Sequence, residues 1–345
     1  MTNIQFFRKY RFEAARRLGG IAKDHRTSRL HGHSFVLTAA IHSEKQNEDI
    51  VFAELDKKMH PLFASLDYQY LNESIPLENP TSSNLLKWAH EQARLDDSVV
   101  LELQDTKKNV RMADDGRFQF SQEFILHSAH FLPNVPEGHK CGRLHGHNFK
   151  IILTWEGDPE QELLEYEQLL EQFQPLYEQL HCRLLNDIDG LENPTSENLS
   201  AWLWKKLKTV IPLLVSVTVY ETNSVGSSYT GKLWDCFKEF SMDSAILGEY
   251  GPMGHTYVVR LCIQGTLDAT MGWTRDFGEI KDSFQPYYKE LDHHPLHQVN
   301  GLNATHLPTL ADWIYEKVAP QIPELYRIQI ADTENSGIWY QMKCR

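Results

Sequence analysis

The residues best equipped for chemistry lie between His130 and His147, in the stretch HFLPNVPEGHKCGRLHGH. Three histidines, His130, His145 and His147, are spaced fifteen and two residues apart. Residues two apart on a β-strand point to the same face, so His145 and His147 can converge on one ion. A catalytic zinc needs three protein ligands and an open fourth position for water or substrate. Cys141 stands four residues before His145. A thiol beside a cation can act as nucleophile or base because its pKa falls. One His-Gly-His is ordinary in a chain with 17 histidines; the whole pattern reads as a metal site with a thiol beside it.

The bulk of the chain bounds what surrounds that site. Its 345 residues suggest two or three domains, and a composition 41% hydrophobic and 23% charged is that of a soluble globular protein. A net charge of −13 and the lack of a long basic run argue against a nucleic-acid partner. Cys141, Cys182, Cys236, Cys262 and Cys344 are odd in number and show no CxxC spacing, which predicts reduced thiols in a cytoplasmic protein. The N-terminus lacks a signal-peptide apolar core, and the apolar region Val210 to Tyr220 is too short to span a membrane.

Internal similarity sets the architecture. Arg29-Leu30-His31-Gly32-His33 recurs as Arg143-Leu144-His145-Gly146-His147, and Leu77 to Ser82 recurs as Leu191 to Ser196, both at an offset of 114 residues. A looser third copy has Gly254-His255 at the His-Gly-His place and matches Gly301 to Trp313 with Gly190 to Trp202. The expected units are 1–116, 117–233 and 234–345. In unit two, Phe118, Phe120, Gln122, Phe124 and Leu126 alternate onto one face of a strand, and Asn148 to Trp155 reads as a second strand. Pro159 to Leu180 has helical periodicity. A second helix begins at Thr195 or Ser196 as cap and runs through Leu207. Leu213 to Tyr220 and a short segment around Tyr229 read as two more strands. The unit is therefore ββααββ, and the short junctions predict one sheet running across all three units into a closed α+β barrel.

The run Phe124 to His130, followed by Pro136 to His147, resembles the 6-pyruvoyl-tetrahydropterin synthase family. Its Cys-x3-His-Gly-His spacing is most similar to the 6-carboxy-tetrahydropterin synthase branch of queuosine biosynthesis. The resemblance implies the tunnelling fold: three ββααββ units forming a twelve-stranded antiparallel barrel with helices outside, and two rings stacking, here as a homodimer of three-unit chains. It also implies a zinc triad at His130, His145 and His147, Cys141 as base and Glu221 as the pterin anchor. An Asp-His pair is implied too, which unit two lacks at His181-Cys182 and unit three keeps at Asp292-His293. Unit one has Arg16, Thr27 and Asp105 at the places of histidine, cysteine and glutamate. Unit three has Ile246, Met253 and Asp332 at the places of two histidines and the glutamate.

Because the family's sites lie between subunits, units two and three are expected to complement each other in one composite site per chain. The implied reaction converts 7,8-dihydroneopterin triphosphate to 6-carboxy-tetrahydropterin. Zinc would polarise the side-chain hydroxyls, Cys141 would remove a proton, and His293, oriented by Asp292, would carry the second proton. Zinc, together with Lys140 or Arg143, would lower the thiol's pKa, and these two basic residues are candidates for holding the triphosphate. Two alternatives stay open: another pterin side-chain lyase, such as a pyruvoyl-forming one, and a non-catalytic pterin-binding or scaffold protein.

Overall fold

Alternating burial along each strand builds the molecule. In the strand Phe118–His130, one face buries Phe118, Phe120, Gln122, Leu126, Ser128 and His130, so the first histidine of the motif lies on the same face as the core residues. The computed structural model describes residues 2–22, 24–44, 47–248, 251–302 and 306–342. Cys344 lies outside them, and the four other cysteines are free thiols.

Twelve antiparallel strands close into a barrel. In unit one they are β1 (Thr2–Arg16), β2 (His31–His42), β3 (Val100–Asp105) and β4 (Lys108–Met112). Unit two supplies β5 (Phe118–His130), β6 (His145–Gly157), β7 (Leu214–Thr222) and β8 (Val225–Tyr229). Unit three supplies β9 (Trp234–Gly248), β10 (Gly251–Gly265), β11 (Leu325–Thr333) and β12 (Ser336–Met342). The ring closes where β1 pairs β12, with Phe6 opposite Ile338. Closure leaves the barrel no long free edge.

Two main helices per unit pack on the outside: α1 (Glu48–Met59), α2 (Ser82–Gln92), α3 (Glu162–Leu180), α4 (Ser196–Leu207), α5 (Phe277–Leu291) and α6 (Leu307–Val318). Thr195 caps α4 by accepting from the Asn198 N–H, as Thr81 caps α2 through Asn84. The looser third repeat is equally physical. The Trp202 indole donates to the Asp189 carbonyl, and that of Trp313 donates to Asn300 in the same way. The apolar cores lie between sheet and helices: one runs through units one and two, the other joins unit three to Phe6, Val51 and Phe52 of unit one. Phe284, fully buried on α5, would cost about 3–5 kcal/mol to truncate to Ala.

Candidate active site

Strand register assembles the histidines. His130 on β5 lies directly opposite His145 on β6, and His147 follows on the same face. The His130 ring centroid lies 4.5 Å from that of His145 and 5.1 Å from that of His147, and the latter two are 5.0 Å apart. Gly146 suits the position between them, because a Cβ there would press on the Ser128 carbonyl oxygen at 3.0 Å. His130 Nδ1 pairs with the Pro194 carbonyl at 2.9 Å and His145 Nδ1 with the Arg143 carbonyl at 2.7 Å. Carbonyls only accept, so these Nδ1 atoms carry the protons and each Nε2 offers a lone pair. The Nε2 atoms of His130 and His147 are buried without a hydrogen-bond partner. Glu221 Oε1 lies 3.7 Å and 3.2 Å from them. Burial alone would raise the Glu221 carboxyl, but the neighbouring imidazoles, His147 foremost, hold it below the ordinary glutamate value. Three orphaned or inward-facing imidazole nitrogens and a carboxylate, all within 4.8 Å, suit a divalent metal ion.

This cluster opens into a cavity of about 600 Å³ between units two and three, a size suited to a small-molecule ligand. Cys141 lines it from a short turn, Lys140–Gly142, in which the Cys141 N–H donates to His139 Nδ1. Burial, then Glu221, pushes the Cys141 thiol above its ordinary value, and Lys140 only partly opposes them. Lys140 thus lowers the thiol's pKa as expected, but burial and Glu221 outweigh it. The far wall comes from unit three, whose connection from β10 to α5 carries Trp273, Arg275 and Asp276 into the cavity. Unit two grips that connection: Asn193 donates to the Met271 carbonyl, Thr195 to Gly272, and His139 Nε2 lies 3.5 Å from Asp276.

A sequence profile of 6-pyruvoyl tetrahydropterin synthase matches the chain three times, over residues 5–111, 119–232 and 251–343. The chain belongs to this family. Over 117 residues it is 38% identical to a 6-carboxy-5,6,7,8-tetrahydropterin synthase of Synechocystis, spanning 31% of this chain and 89% of that protein. Two solved structures align with it. The 6-pyruvoyl tetrahydropterin synthase of Caenorhabditis elegans shares 18% identity at a TM-score of 0.30, over 32% of this chain and 96% of that one. That of Plasmodium falciparum shares 15% identity at 0.27, over 32% and 99%.

Within this synthase-family chain, the Asp292–His293 pair is not brought to Cys141. It follows the last residue of α5, whose first turn lines the cavity, and a 15-residue helix is about 22 Å long. The His293 N–H is tied to the Asp243 carbonyl of its own unit at 2.6 Å, with left-handed backbone (φ 58°). Cys182 and Tyr68 take the same conformation and the same bond in their units. His293 therefore lines a separate shallow depression with Asp243 and His255. His293 Nδ1 lies 2.9 Å from Asp292 Oδ2, its side chain is 74% exposed, and the carboxylate raises its pKa. In-chain complementation of cysteine by this pair is corrected: rigid α5 holds the two apart.

The degenerate units are filled rather than empty. Arg16 occupies the place of His130, donates to the Pro80 carbonyl and forms a buried ion pair with Asp105, which stands in register where Glu221 stands in unit two. A guanidinium thus fills the place that the first histidine takes in unit two. In the groove beside it, Glu162 at the start of α3 accepts from the N–H groups of Ser82 and Ser83. Glu48 at the start of α1 likewise accepts from the Leu307 N–H. The corresponding position of unit three, counted back from Phe284 as Glu162 is from Phe173, is Trp273, so the groove beside the triad has no such carboxylate from its neighbour.

The sequence reading passed over Glu197. It is 1% exposed and lines the cavity, where burial pushes its carboxyl up to about 7. The Ser196 hydroxyl, the Thr274 N–H and the Cys236 thiol donate to it. Its signal was the repeat itself: unit one has Ser83 at that position and unit three Pro308.

Proposed function

We propose that the chain is a zinc-dependent lyase of the 6-carboxy-tetrahydropterin synthase type, with its pterin cavity between units two and three. The observation that carries this reading is the convergence of His130, His145, His147 and Cys141 on one cavity, in the one unit that retains all four. His130, His145 and His147 would hold the zinc ion. The chemistry zinc supplies when bound there is Lewis-acid polarisation of a side-chain oxygen. Glu221 and Glu197 offer carboxyl oxygens to the ring N–H groups of a pterin, which fixes its orientation. Cys141 takes a side-chain proton from 7,8-dihydroneopterin triphosphate. Asp292 orients His293, the second proton carrier, which reaches the site from a second chain whose ring faces this one. One water is consumed to supply the second carboxyl oxygen, and the products are 6-carboxy-tetrahydropterin, triphosphate and a two-carbon aldehyde.

Metal analysis with product identification tests the proposal. One zinc per chain and conversion of 7,8-dihydroneopterin triphosphate to the 6-carboxy product are expected, with loss of both in His145→Ala. A pyruvoyl product would reassign the reaction within the family. Zinc and pterin binding without turnover would make the chain a binding protein, a reading favoured by the separation of His293 from Cys141 in the single chain.

A further inference from the structure

Glu197 of unit two is buried without a cation, and unit three supplies most of what holds it. The Cys236 thiol on β9 lies 3.4 Å from Glu197 Oε1, and the Thr274 N–H donates to the same oxygen at 3.3 Å. Only the Ser196 hydroxyl, 3.0 Å from Oε2, belongs to α4 itself. The Trp234 indole, at the start of β9, donates to the Glu197 carbonyl at 3.0 Å and ties the first turn of α4 to the same strand. Cys236 is fully buried, and burial, then Glu197, pushes its thiol well above the ordinary value, so it stays a donor.

The repeat shows that thiol and carboxyl go together. Counted back from Ile246, His130 and Arg16, Cys236 corresponds to Phe120 of unit two and Phe6 of unit one, both fully buried. Glu197 corresponds to Ser83 of unit one and Pro308 of unit three. By that correspondence the three junctions between units pair Phe120 with Ser83, Phe6 with Pro308 and Cys236 with Glu197. Where the helix carries an acid, the strand has exchanged a ring for a small side chain with a proton to donate. A buried carboxyl without donors is costly, and phenylalanine offers none.

We infer that Cys236 is a positioning residue: its thiol, with the Thr274 N–H, holds the Glu197 carboxyl in the orientation that meets the ring N–H groups of the pterin. The inference rests on the pterin reading of the cavity for its ligand. Unit three, which has lost its own histidines, thereby sets one of the two carboxyls that grip the ring. The thiol bond also favours the ionised carboxyl, against the burial that pushes it up to about 7. A ring that presents N–H donors needs that form, because a protonated carboxyl offers an O–H where an acceptor is wanted. The other titrating groups of the cavity are the histidines, Glu221 and Cys141 of unit two with Lys140 and Arg143 beside them, and Lys238, Asp276 and Lys281 of unit three. Among the described residues no basic side chain lies within ion-pair distance of Glu197.

Two pH profiles of the whole protein test this: binding of unphosphorylated 7,8-dihydroneopterin by calorimetry, and the denaturation midpoint without ligand. Removing the thiol lets the Glu197 carboxyl rise further. Cys236→Ala should therefore move both the rise in pterin binding and the end of the stability loss to higher pH, by about half to one unit. Cys236→Ser, which restores a donor, should move both back toward the parent. In a Glu197→Gln background Cys236→Ala should shift neither profile, which separates Glu197 from the other titrating groups. Parental profiles in Cys236→Ala would overturn the inference and leave the lyase reading standing. A shift that Cys236→Ser does not reverse would assign the effect to packing and overturn it equally. A shifted stability profile in a protein that binds no pterin would uphold the hold of the thiol on the carboxyl while the lyase reading falls.

Discussion

At the scale of the residue, Glu197 is the side chain on which the site's electrostatics turn. Its carboxyl is pushed up to about 7 by burial, so the folded chain keeps a proton there after the unfolded chain has released it. Protons are thus bound in excess by the native state between about pH 4.5 and 7, and stability contributed through this group falls as pH rises across that window. Glu197→Gln should flatten this dependence. Above pH 7 it should stabilise the unliganded fold by up to about 3 kcal/mol, measured as denaturation midpoints across pH. The same variant should weaken pterin binding if the carboxyl grips the ring. Glu197 was hard to read in the sequence because an acid in the first turn of a helix is ordinary. The convergence of His145 and His147 was easy, because it follows from period two alone, whereas the register that sets His130 opposite His145 depends on how the two strands pair. Glu221 was legible as a carboxylate of the site, but its approach to His147 was not, since that depends on where β7 meets β6.

At the scale of the element, alternation, helical spacing and the Thr195 cap made strands and helices legible, and the 114-residue offset carried each assignment from unit two to unit one. What sequence did not reveal is how the start of one unit's first helix engages the second helix of the preceding unit. Glu162 is a single glutamate in a Glu-rich helix, yet its carboxylate satisfies two buried N–H groups, of Ser82 and Ser83. Removing it strands both donors. Glu162→Ala should destabilise the fold by about 1–3 kcal/mol in urea denaturation. It should leave metal content unaltered, because α2 and the histidines belong to different units. An unchanged midpoint would mean that water replaces the carboxylate without cost. The longer β10–α5 connection of unit three follows the opposite course: it places Trp273 where Glu162 would stand and so keeps the groove beside the histidines open to a ligand.

At the scale of the whole molecule, the closed barrel of three units was legible from the repeat, and the placing of the Asp-His pair was not. Sequence complementarity put Asp292–His293 with Cys141, since each unit holds what the other lacks. A helix of fixed rise between the cavity wall and the pair forbids that within one chain. The exposed pair instead presents an imidazole that a second ring can meet, and a closed two-fold stack would give two such sites, each with the cysteine of one chain and the histidine of the other. Mixing settles the matter. Cys141→Ala and His293→Ala proteins should each be inactive alone. Dissociated and reassociated together in equal amounts, they should recover about a quarter of parental activity, because half the dimers are mixed and each mixed dimer has one intact pair. A site completed within one chain leaves the mixture dead, since no chain then holds both residues. Activity retained by His293→Ala alone would remove the pair from the mechanism and leave Cys141 to move both protons.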